Sequence, residues 1–257
     1  MENIYTENNT ASRTMRSQMS YQKALSQYRS VHGLSRISWV TWGVVTGTII
    51  IWCVTAFSSV LIAFGAKDND LILQGQYWRF GTPIFLHANL LHLGLNMLNL
   101  AVLGVFLERL VGHMRFLLIY VTTGIVSIIA SFYFMPQEIS VGASGAIFGL
   151  VGAYSVFVLM HRRAFRKGGI PALLWLIIVI AGNLSIGFFV PNVDNYAHLG
   201  GLLSGCLLGW WFTPLYTLTQ DNTLIDKHSL SRRWPLALLT IAGTLILAII
   251  ARLFIGG

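Results

Sequence analysis

Residues 86–98 read LHANLLHLGLNML and carry His87, His92 and Asn96 into an otherwise apolar stretch. Ionisable groups at membrane depth are costly, so each one in such a run is a functional candidate until explained. His92 and Asn96 are four residues apart and therefore share one face of a helix.

The rest of the chain sets the environment of this stretch. Of 257 residues, 55% are hydrophobic and 10% charged, with a mean hydropathy of +0.67. That is a polytopic membrane protein rather than a soluble domain. A spanning helix needs about 20 apolar residues, and such stretches fall near 38–63, 90–107, 116–135, 143–161, 171–189, 196–215 and 235–254. The expected fold class is all-α, a polytopic helical bundle. Residues 1–36 are polar, without an apolar run, and read as a mobile cytoplasmic tail rather than a signal peptide. Residues 37–215 form the transmembrane core, and 216–257 a cytoplasmic loop with a seventh helix.

The formal net charge of +8 raises the question of nucleic acid, and the positions of the charges answer it. All but Lys67, Arg79 and Arg252 of the 17 Lys and Arg residues fall in the tail and alternate loops, on one side of the predicted bundle. By the positive-inside rule the N-terminus is cytoplasmic and the C-terminus outside. The basic residues thus report topology and contact with membrane lipid, with no nucleic-acid partner. Cys53 and Cys206 lie within predicted spans and read as small apolar residues. There is no P-loop, dinucleotide fingerprint or metal-ligand spacing, so no cofactor or metal is implied.

Two further spans bring polar groups to the same depth. The fourth opens with GASGAIFG and Ser144, the sixth with NYAHLGGLLSG and His198. Spans two, four and six all enter from the outer face, so their first residues share the outer leaflet. A serine hydroxyl is a weak nucleophile and needs a base within hydrogen-bond reach, for which neutral imidazole is suited. His198 is the candidate base. Asn96, His92 and the Ser144 backbone N–H could stabilise an oxyanion. Gly145 and Gly149 in one span, with Gly201, Gly205 and Gly209 in the other, permit the close helix approach that a Ser144–His198 meeting requires. Phe148, one turn below Ser144, could stack on the His198 ring.

GASG at 142–145, AHLGG at 197–201, the His87–Asn96 run, Trp78-Arg79 and the Gly104, Glu108, Gly112 pattern together resemble the rhomboid proteases. The resemblance covers roughly residues 40–215. It implies a six-helix core with an additional C-terminal helix, in a bacterial plasma membrane. It also implies a Ser144–His198 dyad that needs no carboxylate, with His92 and Asn96 as the oxyanion pair and Gly142 as the glycine preceding the nucleophile. The implied substrates are single-pass or other transmembrane proteins, cut in or next to their membrane segments.

Other readings stand beside this one. A non-catalytic rhomboid-like protein that binds transmembrane helices would share the fold, since fold alone does not imply hydrolysis. A transporter would carry polar residues through the bilayer rather than gather them near one face. His87 either lines a water cavity or sits at the interface. Asp194, four residues before His198, is positioned for a triad but reads as a loop residue outside the chemistry. Trp78-Arg79 reads as an interfacial anchor, and Glu108 as a structural hydrogen-bonding site. The sequence does not set the oligomeric state.

Overall fold

In a lipid-facing chain every backbone polar group must find an internal partner, which favours helices throughout. The computed structural model describes residues 37–161, 193–218 and 224–255. The predicted tail and the apolar stretch at 171–189 lie outside the described residues. The described chain is mostly helical. It begins with α1 (Trp39–Thr55), α2 (Ser59–Gly65) and α3 (Asn69–Leu73), followed by 3-10 turns at Tyr77–Phe80 and Thr82–Phe85. Then come α4 (Leu90–Asn99) and α5 (Val105–Val111), joined by a π turn at Leu100–Gly104. The remaining helices are α6 (His113–Phe134), α7 (Ser144–Met160), α8 (Asn195–Phe212), α9 (Leu230–Arg233) and α10 (Pro235–Ile255). Among the described residues, Leu90–Val111 and His113–Phe134 are long and apolar enough to cross a bilayer.

The first apolar stretch departs from expectation. A single span over 38–63 is predicted, but the helix stops at Thr55 and restarts at Ser59. Thr55 Oγ1 donates to the Trp52 carbonyl at 3.2 Å, which also takes the last helical N–H, that of Ala56, at 2.7 Å. Hydropathy alone does not register such a local bond.

Helices α7 and α8 run parallel, backbone against backbone. A Cβ on Gly201 would lie 2.0 Å from the Gly145 carbonyl oxygen, and one on Gly205 would lie 2.0 Å from that of Gly149. Gly209 continues the seam against Ala153. The antiparallel α6 closes the other side. A Cβ on Gly145 would meet Ser127 Oγ at 2.2 Å, and one on Gly149 would meet Thr123 Oγ1 at 2.1 Å. Both hydroxyls are bonded back into α6, Ser127 to the Gly124 carbonyl and Thr123 to that of Ile119, each at 2.7 Å. Helix α10 packs against α6. Tyr120, Phe116, Leu150 and Leu208 are fully buried in this core, while Leu91, Leu95, Leu98 and Val102 face outward. Such an apolar exterior suits lipid contact.

Glu108 fixes α1 to this assembly. Its buried carboxylate accepts from the N–H groups of Val40 at 3.0 Å and Thr41 at 2.8 Å, and from Thr41 Oγ1 at 2.6 Å. His113 Nδ1 is a further partner. A negative group therefore caps the positive end of α1. Glu108→Ala strips these donors of their acceptor and is expected to cost about 3 kcal/mol or more. Thermal unfolding in detergent checks this, and an unchanged midpoint would remove Glu108 from the frame.

The segment Pro214–Ser229 forms a separate unit. In it Tyr216–Leu218 (β1) pairs antiparallel with Leu224–Asp226 (β2). Asp226 Oδ1 accepts from Leu215 N and His228 N at 2.9 Å each, closing the hairpin base.

Candidate active site

Ser144 is the first residue of α7, and Ala143 at its cap supplies no side-chain hydrogen bond. The first turn is therefore uncapped by its own N-cap residue, at a helix end where an anion would be favoured. The preceding loop makes the sharp entry by way of Gly142, whose φ of +131° is a conformation that side chains resist. A Cβ there would also lie 2.7 Å from His92 Nε2. The loop is held by Gly142 N–H donating to the Pro83 carbonyl at 2.9 Å.

His198 stands in the first turn of α8, whose start is capped by Asp194 Oδ1 accepting from Ala197 N–H at 2.9 Å. The parallel glycine seam brings the two helix starts together, and His198 Nε2 lies 2.8 Å from Ser144 Oγ. The Phe148 ring stacks on the imidazole at 4.4 Å between centroids and 14° between planes. This limits rotation of a ring that is itself buried. For Nε2 to accept the serine proton, the neutral ring must carry its own proton on Nδ1. Among the described residues Nδ1 has no hydrogen-bond partner.

His92 is held in the first turn of α4 by Asn89, whose side-chain oxygen accepts from the His92 N–H at 2.9 Å. Its ring lies against the Gly142 loop and meets the His87 ring edge to face at 5.1 Å. His87 is buried, with Nε2 3.5 Å from the Ala143 N–H. It therefore lies beneath the nucleophile loop, inside the protein. Asn96 is buried one turn below His92, and its Nδ2 donates to the His92 carbonyl at 2.9 Å. That bond uses one of the two amide protons. Ser144, His198, His92, Gly142 and Phe148 are thus brought into one cluster, with His87 behind it and Asn96 turned toward its own helix.

Several polar residues do not behave as charge counting suggests. Asp194 does not reach His198 Nδ1; its Oδ2 accepts from Ser140 Oγ at 2.9 Å. Arg79 is buried rather than anchored among headgroups. Its Nη1 donates to the carbonyls of Ala63 and Ala66 at 2.7 and 2.6 Å, and its Nε to Gln76 Oε1 at 2.9 Å. The loop carbonyls replace solvent around the guanidinium, a fold-back that a count of loop charges does not detect. Trp78 keeps an exposed edge while stacking on Phe64.

Lys67 is likewise buried, donating to the carbonyls of Met135 and Glu138. Burial lowers its pKa to about 8, against the opposing pull of Asp194, Glu138 and Asp68. Neither Lys67 nor Ser140 stands out in the sequence as part of the site. Their one sequence signal is a lysine in a loop otherwise poor in basic residues.

Comparison with known proteins follows the same residues. A family model described as Rhomboid domain matches residues 74–215. Over 149 residues the chain is 49% identical to Rhomboid protease GluP of Bacillus subtilis (strain 168), covering 58% of this chain and 28% of GluP. It is 43% identical over 154 residues to RHOMBOID-like protein 6, mitochondrial, of Arabidopsis thaliana, covering 60% of this chain and 50% of the relative. It is 32% identical over 180 residues to YdcA of Bacillus subtilis (strain 168), covering 69% of this chain and 83% of YdcA. The chain spans half or less of the length of the first two.

Proposed function

Because this chain belongs to the rhomboid family of integral membrane proteins, we propose that it is an intramembrane serine endopeptidase in which Ser144 attacks the peptide bond and His198 carries the proton. The observation that carries this reading is the 2.8 Å contact between Ser144 Oγ and His198 Nε2 inside a closely packed pair of helices.

The mechanism follows from the two side chains. As Ser144 Oγ adds to the carbonyl carbon, its proton passes to His198 Nε2. The imidazolium then protonates the departing amine, leaving an ester on Ser144. A water molecule, deprotonated by the same nitrogen, adds to that ester, and collapse returns the proton to Oγ. Each addition places negative charge on the former carbonyl oxygen. The Ser144 N–H, the His92 ring and the second Asn96 amide proton are the donors assigned to that charge. Removing one donor typically costs about a hundredfold in turnover. Asn96→Ala is accordingly expected to retain partial activity, measured as initial rate of substrate cleavage; an undiminished rate would take Asn96 out of the oxyanion pocket.

The substrates are transmembrane proteins, cut in or beside their membrane segments. The N-terminus is cytoplasmic, the bundle is of the six-plus-one type, and the active site opens toward the outer leaflet. Supporting the sidedness, His92, Ser144 and His198 all lie in the first turns of their helices.

The test is reconstitution of the full chain in liposomes with a single-pass protein, followed by mass spectrometry of the products. New termini at one bond in or next to the membrane segment are expected. Binding without any cut would favour the rhomboid-like helix binder over the protease.

A further inference from the structure

Two hydrogen bonds join the same two parts of the chain in parallel. Ser144 meets His198 and, four residues earlier in each strand of sequence, Ser140 meets Asp194; both pairs are 54 residues apart. The second contact is built at both ends. Asp194 Oδ2 accepts from Ser140 Oγ at 2.9 Å while Oδ1 accepts from Ala197 N–H at 2.9 Å. One carboxylate therefore starts the helix that bears His198 and holds the loop that delivers Ser144.

That loop is anchored from the far side as well. Ser140 Oγ lies 3.2 Å from Ser131 Oγ in α6. The Ser140 and Lys67 backbones exchange hydrogen bonds at 3.0 and 3.3 Å, and the Lys67 ammonium donates to two carbonyls of the same loop.

We propose that Asp194 is a positioning residue for hydrolysis, setting the Ser144–His198 distance through its bond to Ser140 rather than through a hydrogen bond to the imidazole. This rests on the proteolytic reading above. It assigns the carboxylate a role distinct from that of a triad member. In a triad the aspartate orients and stabilises the imidazolium through Nδ1, whereas here Nδ1 finds no partner among the described residues and the carboxylate bonds Ser140.

The two roles separate experimentally. An asparagine at 194 retains an oxygen to cap Ala197 and offers an amide proton to Ser140, whose own proton can turn to Ser131. Asp194→Asn is therefore expected to hold kcat within about threefold of wild type. Asp194→Ala is expected to lower kcat by about tenfold to a hundredfold, as sub-ångström to ångström displacement of reacting groups does, with KM nearly unchanged. Ser140→Ala leaves the helix cap intact and is expected to lower kcat in the same way. The double variant Ser140→Ala, Asp194→Ala should be little worse than Asp194→Ala alone.

Steady-state cleavage with thermal unfolding as a control measures all four variants, and Ser140→Ala carries the test if Asp194→Ala fails to fold. Equal losses in Asp194→Asn and Asp194→Ala would make the charge essential and overturn the positioning role, as would wild-type kcat in Ser140→Ala. A wild-type protein that cuts no substrate overturns the protease reading and this proposal with it, whereas active wild type with unaffected variants overturns the proposal alone.

Discussion

Ser144→Ala and His198→Ala are each expected to abolish cleavage, lowering kcat by about 10⁴-fold or more, with the fold preserved. Both residues belong to one proton-transfer unit, so losing either is about as damaging as losing both. Without Oγ there is no nucleophile. Without the imidazole, the hydroxyl loses the base it is bonded to, and Asp194 is committed to Ser140 and Ala197. The double variant should be no worse than either single one, and initial rates over long incubation check both statements. Stability of the serine variant should change little, because Ser144 is only partly buried and alanine at 144 fits the first turn of α7. Substantial turnover by the serine variant would remove Ser144 from the chemistry.

The second large effect concerns glycines that never touch a substrate. Gly201→Ala and Gly205→Ala would each drive a methyl group to 2.0 Å from a carbonyl oxygen of α7. A flexible side chain could move aside, but a helix backbone cannot do so without shifting the whole helix. Overpacking usually costs about 1–3 kcal/mol, and at a backbone contact the upper end or beyond is expected. The same shift separates His198 from Ser144, so activity should fall by about a hundredfold even in variants that still fold. Gly47 and Gly243 provide the contrast, having no atom of the described residues within 4 Å of an added Cβ. Gly47→Ala and Gly243→Ala should be neutral or slightly stabilising, because alanine is the better helix former. Thermal unfolding midpoints of the four variants decide this. Equal effects across the two classes would contradict the close-packed seam.

This contrast shows which features were legible in the sequence. The meeting of Ser144 with His198 could be read because intramembrane polar residues are few and small residues spaced four apart mark a helix contact. Glu108 was legible for the same reason. What escaped was polar chemistry within loops. Lys67 and Arg79 look like surface charges on one side of a membrane, yet each is solvated by backbone carbonyls of a loop folded around it. The break after Thr55 was hidden because apolar residues continue through it, and Ser140 was hidden because a loop serine is common. Asp194 was visible and read as a loop residue outside the chemistry, but nothing in the sequence pointed to Ser140 as its partner. Its actual partner depends on the tertiary arrangement of α6, α8 and the 135–143 loop.

If Ser144 is a nucleophile activated by His198, covalent labelling of the folded protein will reveal it. A fluorophosphonate reagent, which reacts with an activated serine hydroxyl, is incubated with the full chain in detergent, and the product is analysed by intact and peptide mass spectrometry. A single adduct on Ser144 is expected, absent in Ser144→Ala and strongly slowed in His198→Ala. Labelling of another residue, or equal labelling of Ser144 with and without His198, would contradict it.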